Sequence, residues 1–100
     1  MTRIIRPAAR RDLARIWRFI ARENPAAADA VVDAVGATIE QLVRHPLMGR
    51  VRPFRRQIEI RSQVIKDFPN YVIFYHPLRD GLEVKRILEG HQDIPRFFHH

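Results

Sequence analysis

Apolar residues in the first half of the chain recur at helical spacing, whereas those of the second half alternate or run together as strands do. Leu13, Ile16, Trp17 and Ile20 form one apolar stripe, and Arg11, Arg15, Arg18 and Arg22 repeat at the same interval on the other side. Asn24 followed by Pro25 marks a helix restart, since asparagine can cap and proline suits the first helical position. A second helix is predicted from about Pro25 to Arg44, with Ala28, Val31, Val32, Val35, Ile39, Leu42 and Val43 as its apolar face. Gly36 interrupts the middle of this helix at a cost of about 1 kcal/mol against alanine. A close crossing by the first helix would explain that cost. With so short a link the two helices, over 8–44, must fold back as an antiparallel hairpin, which His45-Pro46 ends.

Before the hairpin, Ile4-Ile5 lies in a short strand predicted over 3–6. After it, residues 46–57 hold Pro46, Gly49 and Pro53 among arginines and read as a loop. Ile58, Glu59, Ile60 and Arg61 then alternate, giving a strand at about 58–65. A turn at 67–70 leads into 71–76, whose apolar run suits a central strand buried on both faces. Residues 77–81 connect to a last strand at 82–88. The order is β-α-α-β-β-β: an α+β fold with a helical hairpin packed on one face of a small, mainly antiparallel sheet. Residues 1–100 form one domain in this reading, and 91–100 form a tail.

One hundred residues leave room for one modest core. Cysteine is absent, which excludes a disulfide framework and a thiol nucleophile and suits a reducing cytoplasm. Arg3, Arg6, Arg10 and Arg11 break up the start before any apolar segment of a signal peptide could form. No run of about 18 apolar residues exists to span a membrane. Charge narrows the partners. Lys and Arg total 18 against 11 acidic residues, a net of +7, and this predicts an anionic partner: nucleic acid, a ribosome or an acidic protein segment.

The aromatic strand 71–75, the strand 82–88 and the closing stretch 90–98 resemble the ParE branch of the RelE/ParE toxins. Arg6-Pro7-Ala8-Ala9-Arg10-Arg11-Asp12-Leu13, opening the first helix, fits the same pattern. These are the toxins of bacterial type II toxin–antitoxin pairs, many of them associated with plasmid stabilisation. The resemblance implies a toxin neutralised by a ParD-like antitoxin in a heteromeric complex, with operator DNA met only through the antitoxin. It also implies inhibition of DNA gyrase by contact, needing no catalytic residue and no cofactor.

For such a contact the tail supplies Ile94, Arg96, Phe97 and Phe98, and its deletion is expected to abolish toxicity while leaving a folded protein. Arg11, Arg15, Arg18 and Arg22 could pair with the acidic, amphipathic segment of an antitoxin, which the apolar helix faces would also receive.

The alternative is a RelE-like, ribosome-dependent messenger-RNA endoribonuclease. Attack by a 2′-hydroxyl needs a base, an acid and cations for the phosphate. The resemblance assigns these roles to Arg61, Lys66, Arg86 and His91. Two departures count against it: Asn70-Tyr71 stands where the nucleases commonly carry an arginine, and the tail ends in Phe97-Phe98, which cannot transfer a proton. A third class is a basic nucleic-acid-binding module using the 50–56 loop, where Phe54 could stack a base. No histidine pair has metal-ligand spacing, so no metal site is expected. His99 and His100 are given no role.

Overall fold

The computed structural model describes residues 1–54, 57–91 and 94–98. The elements are β1 (Thr2–Ile5), α1 (Pro7–Ala21), α2 (Pro25–Arg44), β2 (Arg50–Arg52), β3 (Ile60–Ile65), β4 (Phe68–Leu78), β5 (Gly81–Glu89) and a 3₁₀ turn at Ile94–Phe98. One five-stranded sheet runs β1-β5-β4-β3-β2. β1 lies parallel to β5, and the other neighbours are antiparallel. The helical hairpin and the order of the main strands match the sequence pattern. Asn24 accepts a hydrogen bond from the Ala27 amide at 3.0 Å, and Pro25 opens α2.

Three departures have physical reasons. The expected loop at 46–57 contains β2, which pairs Arg50, Val51 and Arg52 with Ser62, Arg61 and Ile60. Three residues at a sheet edge need bury no face, and exposed Val51 leaves no alternation to read. Of that loop, Arg55 and Arg56 lie outside the described residues. β4 extends past its predicted end through Pro77, which pairs with Leu82. Proline is tolerated there because β3 reaches only as far as Tyr75, so β4 has a single neighbour at that point. Finally, a Cβ built on Gly36 would meet nothing within 4 Å. No close helix crossing explains this glycine; the space beside it is open.

The sheet carries apolar layers on both faces, not the single core expected. On one face α1 and α2 pack Ala9, Ile16, Val31, Val35, Ile39 and Leu42 against Ile73, Tyr75, Val84 and Ile87. On the other, Ile94 and Phe98 close over Ile60, Val72, Phe74 and Leu88. Phe54 stacks on Phe98 with ring centres 5.2 Å apart, and both rings lie within 5.8 Å of Phe74. The apolar run of β4 is therefore buried on both sides, the second by the tail.

Candidate functional site

β1 pairs with β5 only as far as Ile5 and Val84, so the outer edge of β5 beyond that point is open to other partners. Asp12, in the second turn of α1, fills part of it. Its carboxylate is 1% exposed and accepts four hydrogen bonds. They come from the Ile87 amide (3.0 Å), Arg86 Nε (2.7 Å), Arg86 Nη2 (2.8 Å) and Arg15 Nη2 (2.9 Å). The hydrogen bonds to Asp12 raise the Arg86 pKa, against the opposing effect of burial. On its other side the Arg86 guanidinium lies 4.6 Å from the centre of the Phe97 ring. Arg86 thus ties α1 to the tail around the sheet edge. Asp12 went unread as a key residue in the sequence, although it is the lone acid within an arginine-rich helix.

Arg61, another candidate for phosphate chemistry, is similarly engaged. Its Nε donates to Glu59 at 2.6 Å, and Nη1 donates to the Leu47 and Gly49 carbonyls at 3.0 and 2.8 Å. It stands opposite Tyr75, whose hydroxyl donates to the Pro46 carbonyl (2.8 Å) and accepts from the Gly49 amide (2.9 Å). Burial is the main cause that raises the Tyr75 pKa. Together the two side chains clamp the segment leaving α2. Lys66 is exposed in the β3–β4 turn beside Asp67, which adopts φ 69°. His91 is exposed and lies 3.2 Å from Glu89. The Gly90 amide bonds the Asn70 carbonyl, so His91 emerges near the β3–β4 turn. Arg61 sits four residues up the sheet from that end, roughly 13 Å at about 3.3 Å per residue. The structure does not gather Arg61, Lys66, Arg86 and His91 into one constellation.

The tail residues divide. Ile94 and Phe98 are 6% and 5% exposed, so they are core groups and not a presented surface. Deleting Ile94–Phe98 would therefore strip one face of the sheet, contrary to the expectation that the protein would stay folded. Arg96 is exposed, and its guanidinium lies 5.2 Å from the centre of half-buried Phe97. Asp93, His99 and His100 lie outside the described residues. Phe54 is not a free base-stacking platform either: Phe98 covers it, and the Arg52 guanidinium lies 4.9 Å from its centre. Among the described residues no group of three His, Asp or Glu side chains could hold a metal ion. No described helix is long and apolar enough to cross a membrane.

One concave feature is apolar. Between α1 and α2 runs an open groove of about 430 Å³, lined by Ile5, Ala9, Leu13, Trp17, Val32 and Gly36 among others. Trp17 is held at its wall by an indole N–H bond to Asp29 at 2.9 Å. Arg10 also lines the groove, and Gly36 contributes no side chain to fill it. Arg11, Arg15, Arg18 and Arg22 are all exposed, as their spacing implies.

Comparison with known proteins adds the following. Residues 3–94 match the family model described as the ParE toxin of the type II toxin–antitoxin system parDE. A Caulobacter vibrioides protein named toxin RelE3 is 32% identical over 82 residues, covering 81% of this chain and 85% of the relative. A Sinorhizobium fredii protein, Y4kP, also named as a toxin, is 34% identical over 88 residues, covering 88% and 86%. The structure titled as a chromosomal ParDE system from P. aeruginosa superposes with a TM-score of 0.70 at 17% identity, over 89% of this chain and 95% of that one. This last likeness concerns the fold.

Proposed function

The chain belongs to the ParE toxin family of type II toxin–antitoxin systems, and on that premise we propose that it acts by contact, inhibiting DNA gyrase, until a ParD-like antitoxin occupies the groove between α1 and α2. What carries the contact reading is the engagement of the cationic side chains a nuclease would need. Arg86 is bonded twice to buried Asp12, and Arg61 is bonded to two backbone carbonyls and Glu59. To turn its full fork of donors to a scissile phosphate, either guanidinium would have to abandon bonds that hold the fold. A binding inhibitor has no such conflict.

The antitoxin is expected to be an amphipathic segment laid along the apolar groove, its acidic residues meeting Arg10 at the groove wall. Gly36 supports this assignment. A mid-helix glycine costs about 1 kcal/mol relative to alanine, and its lack of a side chain keeps the groove open. The complex is expected in the bacterial cytoplasm.

The test fills the groove from within. Gly36→Trp projects a large ring into open space, so the variant should fold and remain toxic to cells. Co-expressed antitoxin should no longer rescue growth or co-purify with it. Full rescue by antitoxin, from a folded variant, would remove the groove from the interface.

A further inference from the structure

The α1 arginines form a surface of their own. At about 100° per residue, Arg11, Arg15, Arg18 and Arg22 fall within an arc of roughly 60°. The centre of that arc lies about 140° round the helix from Ala9 and Ile16, which pack on the buried side. The groove-lining residues Leu13 and Trp17 lie on a different flank, so a segment filling the groove leaves the arginine crest uncovered. Among the described residues, Arg15 alone of the four has an acidic partner. Asp12 is turned inward to β5, and Arg15, which shares it, keeps a side chain 57% exposed. Arg11, Arg18 and Arg22 make no ion pair among the described residues. The crest runs over twelve residues, eleven steps of about 1.5 Å, or about 16 Å.

We propose that this crest binds the sugar–phosphate backbone of duplex DNA. Two properties select DNA over an acidic protein, and a third permits it. The crest carries charge alone, with exposed Phe19 off to one flank, whereas protein interfaces draw on desolvated apolar centres. All four groups are arginines, whose paired donors match phosphate oxygens as well as carboxylates. Their span exceeds the major-groove width of about 12 Å, so with the crest laid across the groove mouth Arg11 and Arg22 reach the phosphates of opposite strands. The gain is release of condensed counterions, without base readout. This goes beyond antitoxin recognition and does not depend on the gyrase reading. It also gives the toxin a direct DNA contact, where the family resemblance implied one only through the antitoxin.

The test is fluorescence anisotropy of the full chain with a labelled random-sequence duplex of about one to two helical turns, over a salt series. One variant carries Arg11→Gln, Arg18→Gln and Arg22→Gln. The control removes equal charge elsewhere on the exposed surface, with Arg44→Gln, Lys66→Gln and Arg79→Gln. Circular dichroism checks that both are folded. The crest variant should lower the slope of log K against log salt by about 2.7, at about 0.9 per phosphate contact, and weaken binding at least tenfold. The control should lose less than about one unit of slope. Equal losses in both variants would reduce the crest to a share of the general positive field and overturn the proposal. A glutamate-rich peptide that outcompetes the duplex through the same three arginines would overturn it too, in favour of a protein partner.

Discussion

Replacing Asp12 with alanine removes an acceptor of four hydrogen bonds while leaving every donor in place. The Ile87 amide loses its bond at an unpaired strand edge, and an unsatisfied buried donor costs about 1–3 kcal/mol. The Arg86 guanidinium is left without its counter-ion. Breaking a buried ion pair from one side costs about 3–5 kcal/mol. Because the Arg86 side chain retains 19% of its exposure, water can re-solvate part of it, and the lower end applies. A total of about 4 kcal/mol, from the lower ends of both terms, is a large share of the 5–15 kcal/mol typical of a domain. At about 4–8 °C per kcal/mol for this size, the midpoint should fall by roughly 16–32 °C. Differential scanning calorimetry with a urea titration reads it. The double variant Asp12→Leu/Arg86→Met should recover much of the loss, since it strands no charge and leaves only the Ile87 amide unmatched. A fall of less than about 4 °C in Asp12→Ala, or a double variant no better than the single, would refute this account of the β5 edge.

Three further substitutions test other parts of the fold and site. Tyr75→Phe deprives the Pro46 carbonyl and Gly49 amide of their shared partner and should cost about 1–3 kcal/mol in chemical denaturation. Because burial raises the Tyr75 pKa in the folded state, its contribution is full below the ordinary phenol value of about 10 and is lost as pH rises through the folded value. The phenylalanine variant should therefore lose stability less steeply in alkali than the parent, and a matching slope would contradict the assignment. Gly49→Ala would place a Cβ 2.5 Å from Tyr75 Oη and 2.9 Å from the Ser62 carbonyl, so about 1–3 kcal/mol should be lost in a thermal melt. An unchanged melt would mean that the clamp has slack. His91→Ala should leave growth inhibition unaltered, as the exposed ring meets Glu89 at the end of the sheet; a folded but harmless variant would revive the nuclease.

The parts of the fold legible in the sequence are those built on repetition. The α1 and α2 stripes and the apolar run 71–75 of β4 each state their environment several times over, and Asn24-Pro25 adds a local signal that the backbone obeys. Parts that depend on one contact were not legible. β2 offers three residues with no buried alternation, and Asp12 becomes central only because the topology sets α1 beside the open edge of β5. The tail shows both limits. Ile94, Phe97 and Phe98 are the same side chains whether they cover Phe74 or await a partner, and only the count of apolar groups above the sheet decides. Of the four, the structure buries Ile94 and Phe98 and leaves Arg96 and the edge of Phe97 outside. Gly36 reverses its meaning in the same way, from an expected close crossing to an open groove.

The most direct measurement of contact inhibition uses purified protein with gyrase, ATP and plasmid, scored for linear DNA after the enzyme is denatured. The account predicts linear product that rises with the protein and vanishes when antitoxin is added first, with messenger RNA left intact on translating ribosomes in a parallel reaction. Normal supercoiling without linear product, alongside cleaved messenger from the same folded and toxic preparation, would contradict it.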